Sequence, residues 1–263
     1  RPGHADYAGH VRYQGFNDYR GGGHFSGRLT APLVFSGAVA KQALAQYGII
    51  VGSHILQIND IKEERFNPMG VSDAELAELH TKKFAVMDDA VGEKMQERIL
   101  QAKSELNSVG GVIEAIALHL PAGIGAPYFD SVESMLSHAL FSVPAVKGVE
   151  FGDGFGFAGL TGAEANDALH YADGKVQALT NHNGGVTGGI TNGMPLVVRV
   201  AIKPTPSIAR EQQTVSLKEQ ADTTLAIVGR HDPCIVQRAV PVIEAVVAWT
   251  LWDLLLEAKK WEK

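Results

Sequence analysis

The stretch that most restricts how this chain folds is its longest apolar run, Val240 to Leu256. Pro241, Glu244 and Asp253 interrupt it, so it reads as a buried helix and not as a membrane span. Such a helix needs partners, and the chain supplies strands and helices in alternation. Helical spacing predicts a helix from Pro32 to Tyr47, stopped by Gly48. A short helix is expected over residues 73–82, and a longer one from about Val91 to Leu106 with a charged solvent side. Asp130 or Ser131 caps another that runs to about Phe141. Strands are expected at Ile49–Ile58, at Val112–Leu120 after Gly110-Gly111, at Val146–Phe151 and at Met194–Ile202. The last of these stops at Lys203-Pro204-Thr205-Pro206, and Thr214–Leu217 is a shorter candidate. Residues 1–30 read as loop, on the turn signals Pro2-Gly3 and Gly21-Gly22-Gly23. A long helix from about Val240 to Trp261 closes the chain. The class is α+β or α/β: one compact domain over residues 1–263, helices covering sheet, with no internal repeat.

Bulk properties narrow the partners. A net charge of −6 gives no overall field that attracts nucleic acid or acidic lipid. The single cysteine, Cys234, excludes an internal disulfide framework and any multi-cysteine metal site, and fits a reducing compartment. The first residues carry no apolar h-region, so no signal peptide is expected.

Four loops gather glycine beside charged or hydroxyl residues: Arg1 to Asp6, Gly21 to Arg28, Asn181 to Gly193, and Gly229 to Pro233. Glycine admits close approach of a ligand and frees backbone N–H groups for phosphate. Arginine offers a planar fork to phosphate or carboxylate. His4 and His231 can move protons near neutral pH. No G-x-G-x-x-G opens a helix after a strand, and there is no Walker A run and no G-x-S-x-G elbow. His119, His138 and His170 lack metal-ligand spacing and read as surface or structural residues. Each loop alone reads as turn chemistry; four together point to a shared site for an anionic ligand.

Taken in order, these segments resemble the chorismate synthase family. Arg1-Pro2-Gly3-His4-Ala5-Asp6 stands as the family's R-P-G-H-A-D motif. Ser26-Gly27-Arg28, Pro144 to Phe155, Gly184 to Gly193, Lys203 to Ile208, and Gly229 to Cys234 with Arg238 to Pro241 resemble further family blocks. Gly27 and Leu29 depart from the alanine and glutamate common in their segment.

The resemblance implies an α+β fold of β-α-β sandwich type, with helices packed against antiparallel sheets. It implies a cytoplasmic homotetramer of the shikimate pathway. Its reaction is a 1,4-elimination of phosphate from 5-enolpyruvylshikimate 3-phosphate, giving chorismate with reduced FMN. Some members reduce their FMN with NADPH. His4 and Asp232 match the catalytic positions, and Arg1, Arg28 and Arg230 those that hold the substrate. Ser26, Ala145, Gly189, Lys203, Ser207, Arg230 and Asp232 match the flavin positions, and no metal is implied. The family's N-terminal segment, with a second histidine and further arginines, is expected to lie outside this chain. A molecule beginning at Arg1 is therefore expected to show little catalysis. The alternatives are a fragment that keeps the fold with little activity, or a flavin-dependent oxidoreductase.

Overall fold

The computed structural model describes residues 1–259 apart from Asp173 and Arg230. Among these residues the helices are α1 (Asp6–Arg12), α2 (Ala31–Ala45), α3 (Asp73–Thr81), α4 (Asp89–Ser104), α5 (Val132–Phe141) and α6 (Val236–Lys259). The strands are β1 (Ile50–Ile58), β2 (Ile61–Lys62), β3 (Gly111–Leu118), β4 (Val146–Phe151), β5 (Leu169–Ala172), β6 (Lys175–Ala178), β7 (Val186–Thr187), β8 (Ile190–Thr191), β9 (Leu196–Ile202), β10 (Gln212–Ser216) and β11 (Ala221–Leu225). The main sheet has the order β2-β1-β3-β9-β4, and every neighbour pairs antiparallel. The other strands form two-stranded hairpins.

Alternation along the strands splits the sheet into two faces. Val51, Ile55, Ile113, Ala115, Val198 and Val200 join the core built with α2, α4, α5 and α6. On the opposite face Ile116, Leu118 and Val197 pack with Phe66, Leu76 and Leu79, the latter two from α3. That helix starts with a capping box, in which Ser72 and Glu75 satisfy each other's backbone N–H groups.

The second face also carries a row of charge. His54 stands opposite Glu114, Glu114 opposite Arg199, and Arg199 opposite Glu150. Glu63 extends the row from the loop after β2: it bonds His54 Nδ1 and accepts from the backbone N–H groups of Met87 and Asp88. The signs alternate, so each buried charge has an opposite neighbour. Arg199 also donates to the Gly152 carbonyl, and Glu150 accepts from Phe155 N–H at 3.3 Å. The row thus ties the turn after β4 to the start of α4.

Burial also explains α6. By length and composition it could cross a membrane, yet 67% of its most apolar window is buried in this fold. It packs on α2, α5, β1 and β3. At the crossing with α2 there is no room for a side chain: a Cβ placed on Gly37 would lie 2.2 Å from Ala245 Cβ and 2.4 Å from its Cα. Pro241 sits inside α6 without ending it, so the helix begins at Val236, ahead of the expected Val240. The expected end at Trp261 lies outside the described residues.

Two expectations fail. Residues 1–30 are not simply loop, because α1 and two 3₁₀ turns, Gly23–Phe25 and Gly27–Thr30, form there. The hairpins β5–β6 and β7–β8 carried no strand signal strong enough to mark them.

Candidate active site

Most of the residues singled out above meet at the end of the sheet where β9 leaves it at Ile202. The first wall is the Arg1–Asp6 turn. Gly3 takes a positive φ of 64°, which turns the chain so that Arg1, His4 and Asp6 converge. Arg1 donates to both Asp6 oxygens, from Nε at 2.6 Å and Nη2 at 2.8 Å. His4 Nδ1 lies 2.8 Å from Asp6 Oδ1 and 3.1 Å from Arg1 Nη2. Hydrogen bonds from Arg1 hold the Asp6 carboxyl well below the usual carboxylate range, against the burial that opposes its charge. Burial and the Arg1 charge push the His4 pKa down, and Asp6 opposes both.

The Gly21–Arg28 loop lies alongside. Arg1 Nη2 donates to the Gly21 carbonyl at 2.8 Å. Gly9 of α1 leaves space for the Phe25 ring, which a Cβ there would meet at 2.9 Å. Ser26 Oγ accepts from Arg28 N–H at 3.4 Å and from Arg28 Nε at 3.2 Å, which points the exposed Arg28 side chain back along its turn. This turn runs directly into α2, so the Gly37–Ala245 contact fixes its depth in the molecule.

The second wall is the Lys203–Ser207 loop. Lys203 Nζ donates to the Gly3 carbonyl at 2.9 Å, and its N–H donates to the Ala145 carbonyl at 2.9 Å. Ala145 holds a positive φ of 76°, which aims that carbonyl at Lys203. Gly3 sits against Pro206, whose Cβ a side chain on Gly3 would meet at 3.1 Å. Ser108 Oγ donates to the Thr205 carbonyl at 2.6 Å, and Val109 N–H to the Pro233 carbonyl at 2.8 Å, which brings Asp232 to the same end. Asp232 pairs with Arg238 Nη1 at 2.7 Å. His231 Nε2 lies 2.8 Å from the Ile227 carbonyl, so it carries its proton there. Thr205 Oγ1 is buried and has no hydrogen-bond partner among the described residues.

Arg1, His4, Ser26, Arg28, Ala145, Lys203, Ser207 and Asp232 therefore share one end of the sheet. Arg230 lies outside the described residues. Gly189 is elsewhere: its carbonyl accepts from Val132 N–H at 3.0 Å, and a Cβ on it would press on Ser131. That position adjoins the other end of β9, six residues from Ile202 and so about 20 Å away.

Sequence reading did not single out Asp6, Thr205 or Arg238 as site residues. Asp6 was signalled by its place two residues after His4. Thr205 lies inside the Lys203–Ser207 block, but nothing in sequence marks an unpaired hydroxyl.

The family model described as chorismate synthase matches residues 1–256. The chorismate synthase of Thermococcus gammatolerans is 48% identical over 262 residues, covering 100% of this chain and 72% of that protein. That of Pyrococcus abyssi is 47% identical over 262 residues with the same coverage. That of Aeropyrum pernix is 44% identical over 256 residues, covering 97% of this chain and 67% of its own. A crystal structure of chorismate synthase matches with a TM-score of 0.78 at 30% identity, over 96% of this chain and 70% of that chain.

Proposed function

The chain belongs to the chorismate synthase family, a lyase family of the shikimate pathway, and on that premise we propose that it converts 5-enolpyruvylshikimate 3-phosphate to chorismate and phosphate with reduced FMN. The observation that carries this reading is the convergence of Arg1, His4, Lys203 and Asp232, from three separate loops, on one end of the sheet.

The residues fit a flavin phosphate. Ser26, Ala145, Lys203, Ser207 and Asp232 would hold the cofactor, and the Thr205 hydroxyl is a buried polar group with no partner among the described residues. Reduced FMN, when bound, supplies the electron chemistry of the elimination. The chain's own groups do the rest. Arg1 and Arg28, with Arg230, hold the phosphate and carboxylates of the substrate. Cations fixed there stabilise the charge that gathers on the departing phosphate more than they stabilise the bound substrate. Arg1 is held at its place by Asp6 and Gly21, so little reorganisation accompanies the reaction. Asp232 receives the substrate proton, and Arg238 sets its carboxylate direction. His4 holds or delivers a proton beside the cofactor.

Gly189, placed at the far end of its own sheet, fits this site only if another copy supplies it, consistent with a homotetramer. The single domain is read as the family's fold, and the setting as cytoplasmic. The test is anaerobic turnover with reduced FMN by this chain joined to the family's N-terminal segment, following phosphate and chorismate together. We expect one phosphate per chorismate, no net flavin oxidation, and a loss of about 100-fold or more in kcat for Asp232→Asn. Binding of substrate and reduced FMN without turnover would overturn the reading.

A further inference from the structure

We propose that Asp6 is a positioning residue for His4, fixing the imidazole with its proton on Nδ1 and Nε2 as the nitrogen that exchanges protons in the site. This rests on the proposed role of His4 beside the cofactor.

The geometry leaves one consistent assignment. Asp6 is gripped by Arg1 through two hydrogen bonds, at 2.6 and 2.8 Å, so its carboxylate cannot rotate away. An ionised carboxylate only accepts hydrogen bonds. His4 Nδ1, at 2.8 Å from Asp6 Oδ1, must therefore carry the hydrogen. The competing partner of the same nitrogen is Arg1 Nη2, at 3.1 Å, which can only donate. If Nδ1 accepted from Arg1, its lone pair would face the carboxylate oxygen at the shorter distance. Charge and distance both favour the N–H directed at Asp6, and the tautomer of a histidine follows the bond its other nitrogen makes.

The His4 ring is held on more than one side. Its side chain is 14% exposed. Its turn is anchored by Lys203 Nζ on the Gly3 carbonyl and by Pro206 against Gly3. The charged groups that bear on it are Arg1 and Asp6, with Lys203 one residue along the turn. Of these, only Asp6 favours the imidazolium. Without Asp6, burial and Arg1 would leave the ring harder to protonate, with no partner to choose its tautomer.

The experiment is ¹⁵N NMR of the His4 ring nitrogens in the FMN-free protein, assigned with His4→Gln. In the wild type the neutral ring should show a protonated Nδ1 and a bare Nε2. Asp6→Asn should move the proton toward Nε2 and lower the His4 titration midpoint, and Asp6→Glu should restore both in part. Arg1→Lys should keep the wild-type tautomer. In turnover, Asp6→Asn should lower kcat on the order of 100-fold and shift the acidic limb of its pH profile. A wild-type ring protonated on Nε2 would overturn the proposal, as would an Asp6→Asn variant with unchanged tautomer and midpoint or unchanged kcat and pH profile. Ring signals as expected, in a wild type that binds substrate and reduced FMN without turning over, would instead overturn the reading of the reaction.

Discussion

Glu114 and Arg199 face each other across β3 and β9, 3.1 Å apart and both buried, and Glu114 also accepts from His54 and from Phe66 N–H. Three donors converge on one carboxylate. Removing its charge leaves an imidazolium and a guanidinium buried without their shared partner. Glu114→Gln should therefore cost about 3–5 kcal/mol, read as a lower midpoint in urea unfolding with an unchanged slope.

The same row sets a pH window. Burial opposes charge on His54, but its hydrogen bonds to Glu114 and Glu63 outweigh it and raise its pKa above 6.5. That contribution is complete below 6.5 and is lost as pH rises through the raised value. Burial likewise opposes charge on Glu114, but His54, Phe66 N–H and Arg199 outweigh it and hold its pKa below 4.5. That contribution is complete above 4.5 and is lost as pH falls through the lowered value. The two overlap between pH 4.5 and 6.5. Urea unfolding at stepped pH should show the difference between wild type and His54→Gln to be largest there and to shrink on either side.

Thr205→Val separates stability from binding. Its hydroxyl is buried without a partner among the described residues, so its removal should raise the stability of the ligand-free protein by about 1 kcal/mol. In the same variant reduced FMN should bind about 5- to 10-fold more weakly, the worth of one hydrogen bond. Calorimetry on the ligand-free protein and an anaerobic flavin titration check the two halves. A variant that gains stability and keeps its affinity would place the hydroxyl outside the cofactor site.

Gly37→Ala should destabilise the protein by about 1–3 kcal/mol, because the new Cβ meets Ala245 at 2.2 Å. Gly27→Ala is the control: nothing lies within 4 Å of its Cβ, so its effect should stay within about 0.5 kcal/mol. Thermal unfolding of the two variants compares them directly.

The sheet-forming runs were legible because they are apolar and bounded. Val146–Phe151 ends at glycine and Met194–Ile202 at proline, and both appear within two residues of their expected limits. Helix α5 was legible from its cap, Ser131, which accepts from Ser134 N–H. By contrast β6 and β11 are mostly exposed and β5 buries none of its residues, so burial gave them no apolar signal. The membership of the site followed from family blocks, not from periodicity. Its internal wiring did not. No local signal announces that Lys203 reaches Gly3, that Asp6 is shared by Arg1 and His4, or that Glu114 continues a row of charge through a strand that otherwise reads as apolar.

The Lys203–Gly3 bond also has a bearing on time. It joins residues 200 positions apart, and Lys203 directly follows β9, which lies between β3 and β4 in the sheet. Closing so long a loop before the intervening strands are in place has little to offset its entropy. The end of the sheet that carries the candidate site is therefore completed late, after the sheet has taken in the interior strand β9. A chain interrupted before residue 196 during synthesis can make helices and hairpins, but the two walls of the candidate site cannot meet.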